Sequence, residues 1–576
     1  MNTYQYDLVQ RMSYVRWGGT DEELQTAKLL QAEIEKFGGE STLEEFEIPA
    51  FELEKCSMKV VAPYEMEIET VPYGLSGQLP EGGVDLKFMY AQNGEEQDYY
   101  GIDDLSDTVV MINEFNYDAY KLLCQKNAAA FIVLQGKWYQ DSENWDFLER
   151  NLRAHFAENG KIPGFMIWAK DATELVRNHA EVLHLELREK EKMNKSRNVV
   201  ATIKGTEDNG ESIVITAHYD SVRIGTGSWD NATGSATIMY IYQHFLKNPP
   251  KRTLRFVWCG SEEQGLFGSK AYVEQHPDLV ANEIKMCFNF DMCGTVLGPN
   301  SVFVTGGENL KAFAEQYNRE IGKSVAIRHG VHSSDSSPFA DKGVPSLGLS
   351  RGSRTADIHT RMDLMFPLSA EQLVKDGEWA IGFISRAANA VRLPVDPGMP
   401  DDMKKQLDKY FARDKVPFKK EQLSDINKTD CFTAVRFLCY TEIKILGDMN
   451  MMLNKIHHIA IIVSDYKKSR EFYVDKLGFE VIRENFRPAR NDWKLDLELG
   501  DWELEIFGIE GRPARPTNPE ANGLRHLAFH VEEIEPVVKW LNDMGIETEP
   551  IRVDEFTNKK MTFFKDPDGL PLELHE

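Results

Sequence analysis

Between residues 197 and 391, apolar runs and amphipathic stripes alternate. SIVITA (212–217), LRFVW (254–258) and IKMCFNF (284–290) are short and almost continuously apolar, as strands covered on both faces must be. Longer 3.6-period stretches follow them: TGSATIMYIYQHFLKN, stopped by Pro249-Pro250, a segment from about 267, and ENLKAFAEQYNREIG. PSLGLS and a long helical stretch ending near Val391 close the series. Strand then helix, repeated, predicts a parallel sheet between two helical layers, an α/β fold of three layers. A capped helix precedes it. Thr20-Asp21 opens EELQTAKLLQAEIEKF, whose Leu24, Ala27, Leu30, Ile34 and Phe37 share one stripe, and Gly38-Gly39 ends it.

Between about 55 and 195 the texture changes to brief β-like runs: MKVVAPY, VDLKFMY, DTVVMINEF, AAAFIVLQG and IPGFMIW. These predict an inserted, mainly β domain. Residues 396–454 fit neither helix nor strand period, opening on the charged DDMKKQLDKYFARDK and ending on CFTAVRFLCYTEIKILGDMNMMLNK. They are expected to be a linker. Met449, Met451 and Met452 would suit a former translation start, and so a fusion of two reading frames. From 455 onward IHHIAIIV, WELEIFGI, LRHLAFHV and LPLELHE alternate polar with apolar residues at strand period. The organisation expected is therefore 1–55 with 196–395 as the large α/β domain, 56–195 as its insert, 396–454 as linker, and 455–576 as a separate α+β domain.

The length of 576 residues agrees with several cores. A net charge of −26 argues against nucleic acid or an anionic membrane as partner. The N-terminal MNTYQYDLVQRMSYVRWGG lacks the apolar core of a secretion signal, and no run of about eighteen apolar residues could span a bilayer. A cytoplasmic protein is expected. The seven cysteines (56, 124, 259, 287, 293, 431 and 439) form no CxxC pair and read as reduced core residues.

Chemistry enters at the strand ends. SIVITA runs into His218-Tyr219-Asp220, LRFVW into Glu262-Glu263, and IKMCFNF into Asp291. Three strands thus deliver metal-ligand residue types at the carboxyl edge, where open α/β sheets bind ligands. The Gly-rich GTGSWDNATG adds Asp230 at a helix entrance, and ADIHTRMD adds His359 from a loop. His218, Asp230, Glu263, Asp291 and His359 provide one imidazole and two carboxylates for each of two divalent ions, with one carboxylate shared. Glu262 is left beside them as a general base for a water whose pKa the ions lower. Asp220 is placed to hold the other N–H of His218, and Asp363 that of His359. His244 and His332 fit no such pattern and are expected on the surface or a helix.

The strings AHYDSV, WDNATG, SEEQGLFGS, NFDMCG and DIHTRMD resemble, in order, the metal-binding motifs of the co-catalytic di-zinc aminopeptidases, the group of bacterial leucyl aminopeptidases and glutamate carboxypeptidase relatives. The resemblance covers about 1–55 and 197–395. It implies two Zn²⁺ ions bridged by Asp230, with His218 and Asp291 on one, Glu263 and His359 on the other, and Glu262 as base. It also implies that 55–195 is a protease-associated domain. Ser336, in SSDSSPFADKGVP, stands where many members of that group have histidine, which touches substrate contacts and not the metals.

The last domain repeats itself. His458 and His526 lie 68 residues apart, as do Glu505 and Glu573. Two tandem halves, each giving one His and one Glu, would build a His₂Glu₂ site across a pseudo-twofold axis. Such ligands suit one divalent zinc, nickel, manganese or iron ion. With FYVDKLGFEV and FKDPDGLPLEL, these strings resemble the vicinal oxygen chelate family of glyoxalase and bleomycin-resistance type, which implies paired βαβββ modules around a metal.

Expected, then, is a metallo-aminopeptidase acting on peptides, joined to a glyoxalase-like domain with a small-molecule substrate and a lyase or dioxygenase type of reaction. A carboxypeptidase, amidohydrolase or cyclase on the same metals, or a non-catalytic scaffold, is the alternative. A homo-oligomer stays open.

Overall fold

The computed structural model describes residues 3–207, 209–396, 398–418, 458–487, 492–499, 502–509, 526–531, 534–553 and 559–576, with backbone alone at 458, 499 and 502. It falls into two units, Met1–Asp425 and Ile426–Glu576.

In the first unit Ser212–His218 lies between Thr253–Cys259 and Ile284–Phe290, parallel to both. Ser346–Arg351 continues the sheet in parallel and Asn300–Thr305 in antiparallel pairing. Successive residues of these strands enter different cores. Ile213, Ile215, Ala217, Leu254, Phe256, Trp258, Phe288 and Phe290 meet the helices Tyr4–Met12, Asp21–Lys36, Thr233–Lys247 and Ala370–Asn389. Val214, Val257, Cys259 and Cys287 meet Tyr272, Val280 and Phe339 on the other face. This period of two, with both faces covered, is why the strands read as unbroken apolar runs.

Thr20 caps Asp21–Lys36 by accepting from the Glu23 amide, and Gly38 leaves the helix at φ +84°. Ala27, Leu30 and Ile34 of the expected stripe are fully buried.

The insert grows out of the same sheet. Ser41–Ala62 and Val182–Ile203 form one antiparallel ribbon. The latter pairs with Thr253–Cys259 at one end and with Val84–Tyr90 at the other. Val84–Tyr90, Thr108–Ile112, Ala130–Gln135 and Gly164–Trp168 then run in parallel order. Strands dominate the insert, with Tyr117–Gln125 and Ala169–Arg177 as its main helices.

The segment expected to open a linker is folded in its first part. Asp401–Tyr410 is a helix that buries Met403 and Leu407 against Ala340 and Met399. The weak periodicity hid a short amphipathic helix with only two buried positions. Residues 419–457, with Met449, Met451, Met452, Cys431 and Cys439, lie outside the described residues. The five described cysteines are all free. Among the described residues, no helix is long and apolar enough to cross a membrane.

The second unit holds two four-stranded sheets, His458–Val463, Trp502–Gly508, Asp492–Leu499, Glu480–Arg487 and Leu527–His530, Pro571–His575, Lys560–Lys565, Arg552–Val553, each in that spatial order. Ala460 pairs with Glu505, and Ala528 pairs with Glu573. The 68-residue repeat is thus a repeat of strand register. One core takes Ile461, Val463, Leu504 and Ile506 from the first half and Leu527, Leu572 and Leu574 from the second.

Candidate functional site

His218 is the last residue of Ser212–His218, and Asp291 follows directly on Ile284–Phe290. Glu262 and Glu263 sit between Thr253–Cys259 and the helix Phe267–Gln275, and Asp230 lies in the non-helical turn that opens Thr233–Lys247. His359 comes from the loop after Ser346–Arg351, at φ +56°.

These side chains converge. The two oxygens of Asp230 face two imidazoles: Oδ1 is 3.1 Å from Nε2 of His218, and Oδ2 is 3.2 Å from Nε2 of His359. Asp291 Oδ1 lies 3.6 Å from His218, and Glu263 Oε2 lies 3.1 Å from His359. Glu262 Oε2 stands 4.0 Å from His218 Nε2. His218, Asp230 and Glu263 offer ligand atoms all within 4.8 Å of one another.

Three buried polar side chains hold the loops in place. Asp220 lies 3.5 Å from Nδ1 of His218 without a hydrogen bond to it, and its hydrogen bonds go to the backbone. It accepts from the amides of Glu262 at 3.0 Å and Glu263 at 3.2 Å, and so sets both glutamates. Asp363 corrects the expectation made for it. Its oxygens accept from the amides of Trp229 at 2.7 Å and Asp230 at 3.1 Å, so it anchors the turn of Asp230 and not the ring of His359. Asn231 donates to the carbonyl of Phe290 and accepts from the amide of Met292, which fixes the chain on either side of Asp291.

Two further residues were not singled out by sequence. Arg16, fully buried, donates to the carbonyls of Tyr219, Thr226 and Gly227, and so ties down the loop between His218 and Asp230. Asp335 is fully buried with neither carboxylate oxygen hydrogen-bonded. A lone acid inside SSDSSPF was its only signal. Ser336, beside it, is buried and shares a hydrogen bond with Ser334. His332 stacks on Phe303 at 3.9 Å, partly buried and outside any helix, and His244 lies in the helix Thr233–Lys247.

The electrostatics call for cations. Burial pushes the carboxyls of Glu262, Glu263 and Asp335 up, the latter two to about 7. Burial alone would depress the imidazoles, yet the surrounding acids hold His218 well above its ordinary value and His359 at about 11. Asp230, despite burial, is pulled below the usual carboxylate range by those two rings. In the bare protein, protons on His218 and His359 thus offset an excess of buried negative charge. His218 Nδ1, Glu263 Oε1 and Asp291 Oδ1 are buried without hydrogen-bond partners. Orphaned carboxylate oxygens on Glu263 and Asp291, among an excess of buried acids, fit bound divalent metal.

In the second unit Nε2 of His526 lies 3.0 Å from Oε2 of Glu573. Glu505 accepts from Nζ of Lys494 at 2.6 Å. Because Leu504, Ile506, Leu572 and Leu574 enter the core, Glu505 and Glu573 between them take the opposite side of their sheets. His458 shares the register of Ala460, two residues on, while its side chain lies outside the described residues.

Comparisons with known proteins divide the chain at the same place. Residues 198–384 match the model of Peptidase family M28, and residues 455–574 that of the Glyoxalase/Bleomycin resistance protein/Dioxygenase superfamily. The uncharacterized protein YwkD of Bacillus subtilis (strain 168) is 58% identical over 127 residues, 22% of this chain and 99% of YwkD. Leucine aminopeptidase 2 of Trichophyton equinum is 30% identical over 166 residues, 27% of this chain. This chain spans 33% of the length of that enzyme. The structure of BSAP, a zinc aminopeptidase from Bacillus subtilis, superposes with a TM-score of 0.56 at 22% identity, over 70% of this chain and 98% of BSAP, a likeness of fold.

Proposed function

This chain belongs to Peptidase family M28 over residues 198–384 and to the Glyoxalase/Bleomycin resistance protein/Dioxygenase superfamily over residues 455–574, and on that premise we propose that its first unit is a di-zinc aminopeptidase. The observation that carries this reading is the carboxylate of Asp230, which turns one oxygen to each of two imidazoles. His218 and Asp291 would hold one zinc ion, Glu263 and His359 the other, with Asp230 between them. When bound, the ions would acidify water and polarise the scissile carbonyl.

The chain's own residues do the rest. Glu262 takes a proton from the attacking water as the new C–O bond forms, and passes it to the leaving amine as the C–N bond breaks. Asp220 keeps Glu262 and Glu263 in register through their amides. The insert, 56–195, is read as a protease-associated domain covering this edge of the sheet. Free, buried thiols at Cys124, Cys259, Cys287 and Cys293 favour a reducing compartment, the cytoplasm.

In the second unit His458, Glu505, His526 and Glu573 would hold one divalent zinc, nickel, manganese or iron ion for a lyase or dioxygenase acting on a small molecule with adjacent oxygens. The contact of His526 with Glu573 and the repeated strand register support this.

The test of the peptidase reading is hydrolysis of an aminoacyl arylamide by the zinc-loaded full chain, beside its N-acetyl derivative. Cleavage of the free amine alone, abolished by chelator, is expected. Cleavage of the blocked substrate would favour a carboxypeptidase or amidohydrolase, and no cleavage a binding scaffold.

A further inference from the structure

The loop that carries His359 is gripped by the insert. Arg361, two residues on, donates from Nε to Oδ2 of Asp146 at 2.7 Å and from Nη2 to Oδ1 of the same carboxylate. Nη2 also donates to the carbonyl of Trp145 at 3.1 Å, and the amide of Arg361 donates to Asp146 Oδ2 at 3.2 Å. Two parallel bonds between a guanidinium and a carboxylate fix orientation as well as distance. Asp146 is itself held. Its carbonyl accepts from the side chain of Gln135 at 2.8 Å, the rings of Phe147 and Trp168 lie 4.3 Å apart, and Trp168 Nε1 donates to Ser142 at 3.0 Å. Gln135 and Trp168 are the last residues of Ala130–Gln135 and Gly164–Trp168, so the loop 141–149 is seated on the insert's own strands. The same loop makes a second tie, from Glu149 to Arg223 at 2.6 Å, in the chain between His218 and Asp230.

His359 differs from the other four candidate ligands in what places it. His218 and Asp291 leave strands of the central sheet, and Asp230 and Glu263 stand in turns whose amides are held by Asp363 and Asp220. His359 comes from the long loop between Ser346–Arg351 and Ala370–Asn389. Its side chain is 38% exposed, against 1% for His218, 7% for Asp230, 5% for Glu263 and 13% for Asp291. Its φ of +56° is one that a non-glycine residue keeps only where its surroundings impose it. Two walls do so. On the peptidase side Ala356 and Ile358 pack on the core, and the carbonyl of Thr360 lies so close over Gly225 that a Cβ there would meet it at 2.6 Å. On the insert side stands the pair of Arg361 with Asp146.

Resting on the di-zinc reading, we propose that the insert is a working part of the metal centre: the grip of Asp146 on Arg361 places the imidazole of His359. The zinc ion held by Glu263 and His359 then depends on the insert, while the ion held by His218 and Asp291 does not. Arg361 and Asp146 are positioning residues, acting through His359. An imidazole 3.1 Å from Glu263 and 3.2 Å from Asp230 stays a ligand only while its backbone stays, and that backbone is carried in part by another layer of the chain. Loss of the pair leaves the core contacts of Ala356 and Ile358 in place, so the loop loosens without unfolding.

The experiment is a competitive chelator titration of zinc on the full chain and its variants, with thermal melts as the check on folding. Any metal of the second unit is common to all of them and cancels. Asp146→Ala, a change in the insert, is expected to weaken one zinc equivalent ~10- to 100-fold, as loss of a supporting partner does, and to leave the other nearly unchanged. Arg361→Ala should match it, and the double variant should add nothing, because the two residues form one contact. Arg361→Lys should recover only part, since an ammonium cannot make the paired bonds. His359→Ala removes the same ion, so adding Arg361→Ala to it should leave the remaining zinc untouched. Unchanged affinity in Asp146→Ala, or an equal loss of both ions, would overturn the proposal. Hydrogen exchange at residues 357–362 of the chelated full chain separates the grip from the metals, and should quicken ~10-fold in Asp146→Ala. If the unaltered first unit binds fewer than two zinc ions, the di-zinc reading falls, and quicker exchange still upholds the insert's hold on His359. Unchanged exchange refutes it.

Discussion

The two candidate metal sites use β-strands in opposite ways. In the first unit the ligands follow strand ends, where the chain leaves a sheet buried on both faces. Their places are set by groups distant in sequence: Asp220 for the glutamates, Asp363 for the turn of Asp230, Asn231 for the chain around Asp291. In the second unit Glu505 and Glu573 lie within strands, and the pleat places them once Leu504, Ile506, Leu572 and Leu574 enter the core. A strand-end site depends on loop closure and on side chains that serve the backbone. A mid-strand site depends on register alone.

The largest effect expected from this contrast is at Glu262, the one member of the first site left free to move a proton. Glu262→Gln should keep the metals and lower kcat by roughly 10² to 10⁴, the range for loss of a general base. Steady-state kinetics with metal analysis checks this, and near-normal turnover rejects the role. Next comes the clamp. Asp220→Ala releases two amides at once and should weaken metal binding about 10- to 100-fold, as loss of a supporting partner does. A competitive chelator titration measures it. An unchanged affinity would mean that the strand ends alone place the glutamates.

The smallest effect is the pH dependence of the chelated protein. Glu263 and Asp335 titrate near 7 when folded, above their ordinary 4.5 and 3.8. His359 titrates near 11, above 6.5. In each case the folded chain keeps a proton that the unfolded chain has lost, so stability falls as pH rises: from about 4 to 7 for the acids, from about 6.5 to 11 for the imidazole. Thermal melts of the chelated first unit should drop by ~5 °C between pH 5 and 9, and zinc should remove most of that slope. A melting temperature that rises with pH would contradict it.

Much of the peptidase layer was legible because burial on both faces forces unbroken apolar runs, and the residue after each run lands on the sheet edge. His218 and Asp291 were readable for that reason, and Glu263 from the loop that follows Thr253–Cys259 at the same edge. The repeat of 68 residues was readable because register is periodic, and the pairing of Ala460 with Glu505 and Ala528 with Glu573 repeats it. What escaped acts through tertiary contact without local pattern. Arg16 serves carbonyls about 200 residues away. Asp335 is one acid among serines. The true partners of Asp363 are amides, which carry no sequence signature. Asp401–Tyr410 buries too few side chains to show a period.

Metal quantification on the purified full chain and on Asp230→Asn tests the central claim most directly. Two zinc equivalents in the first unit and one divalent ion in the second are expected, with both zinc equivalents lost together in Asp230→Asn and the remaining ion lost on Glu573→Gln. A folded full chain without bound metal, or an Asp230→Asn protein that keeps both zinc equivalents at undiminished affinity, would contradict a single carboxylate shared between two ions.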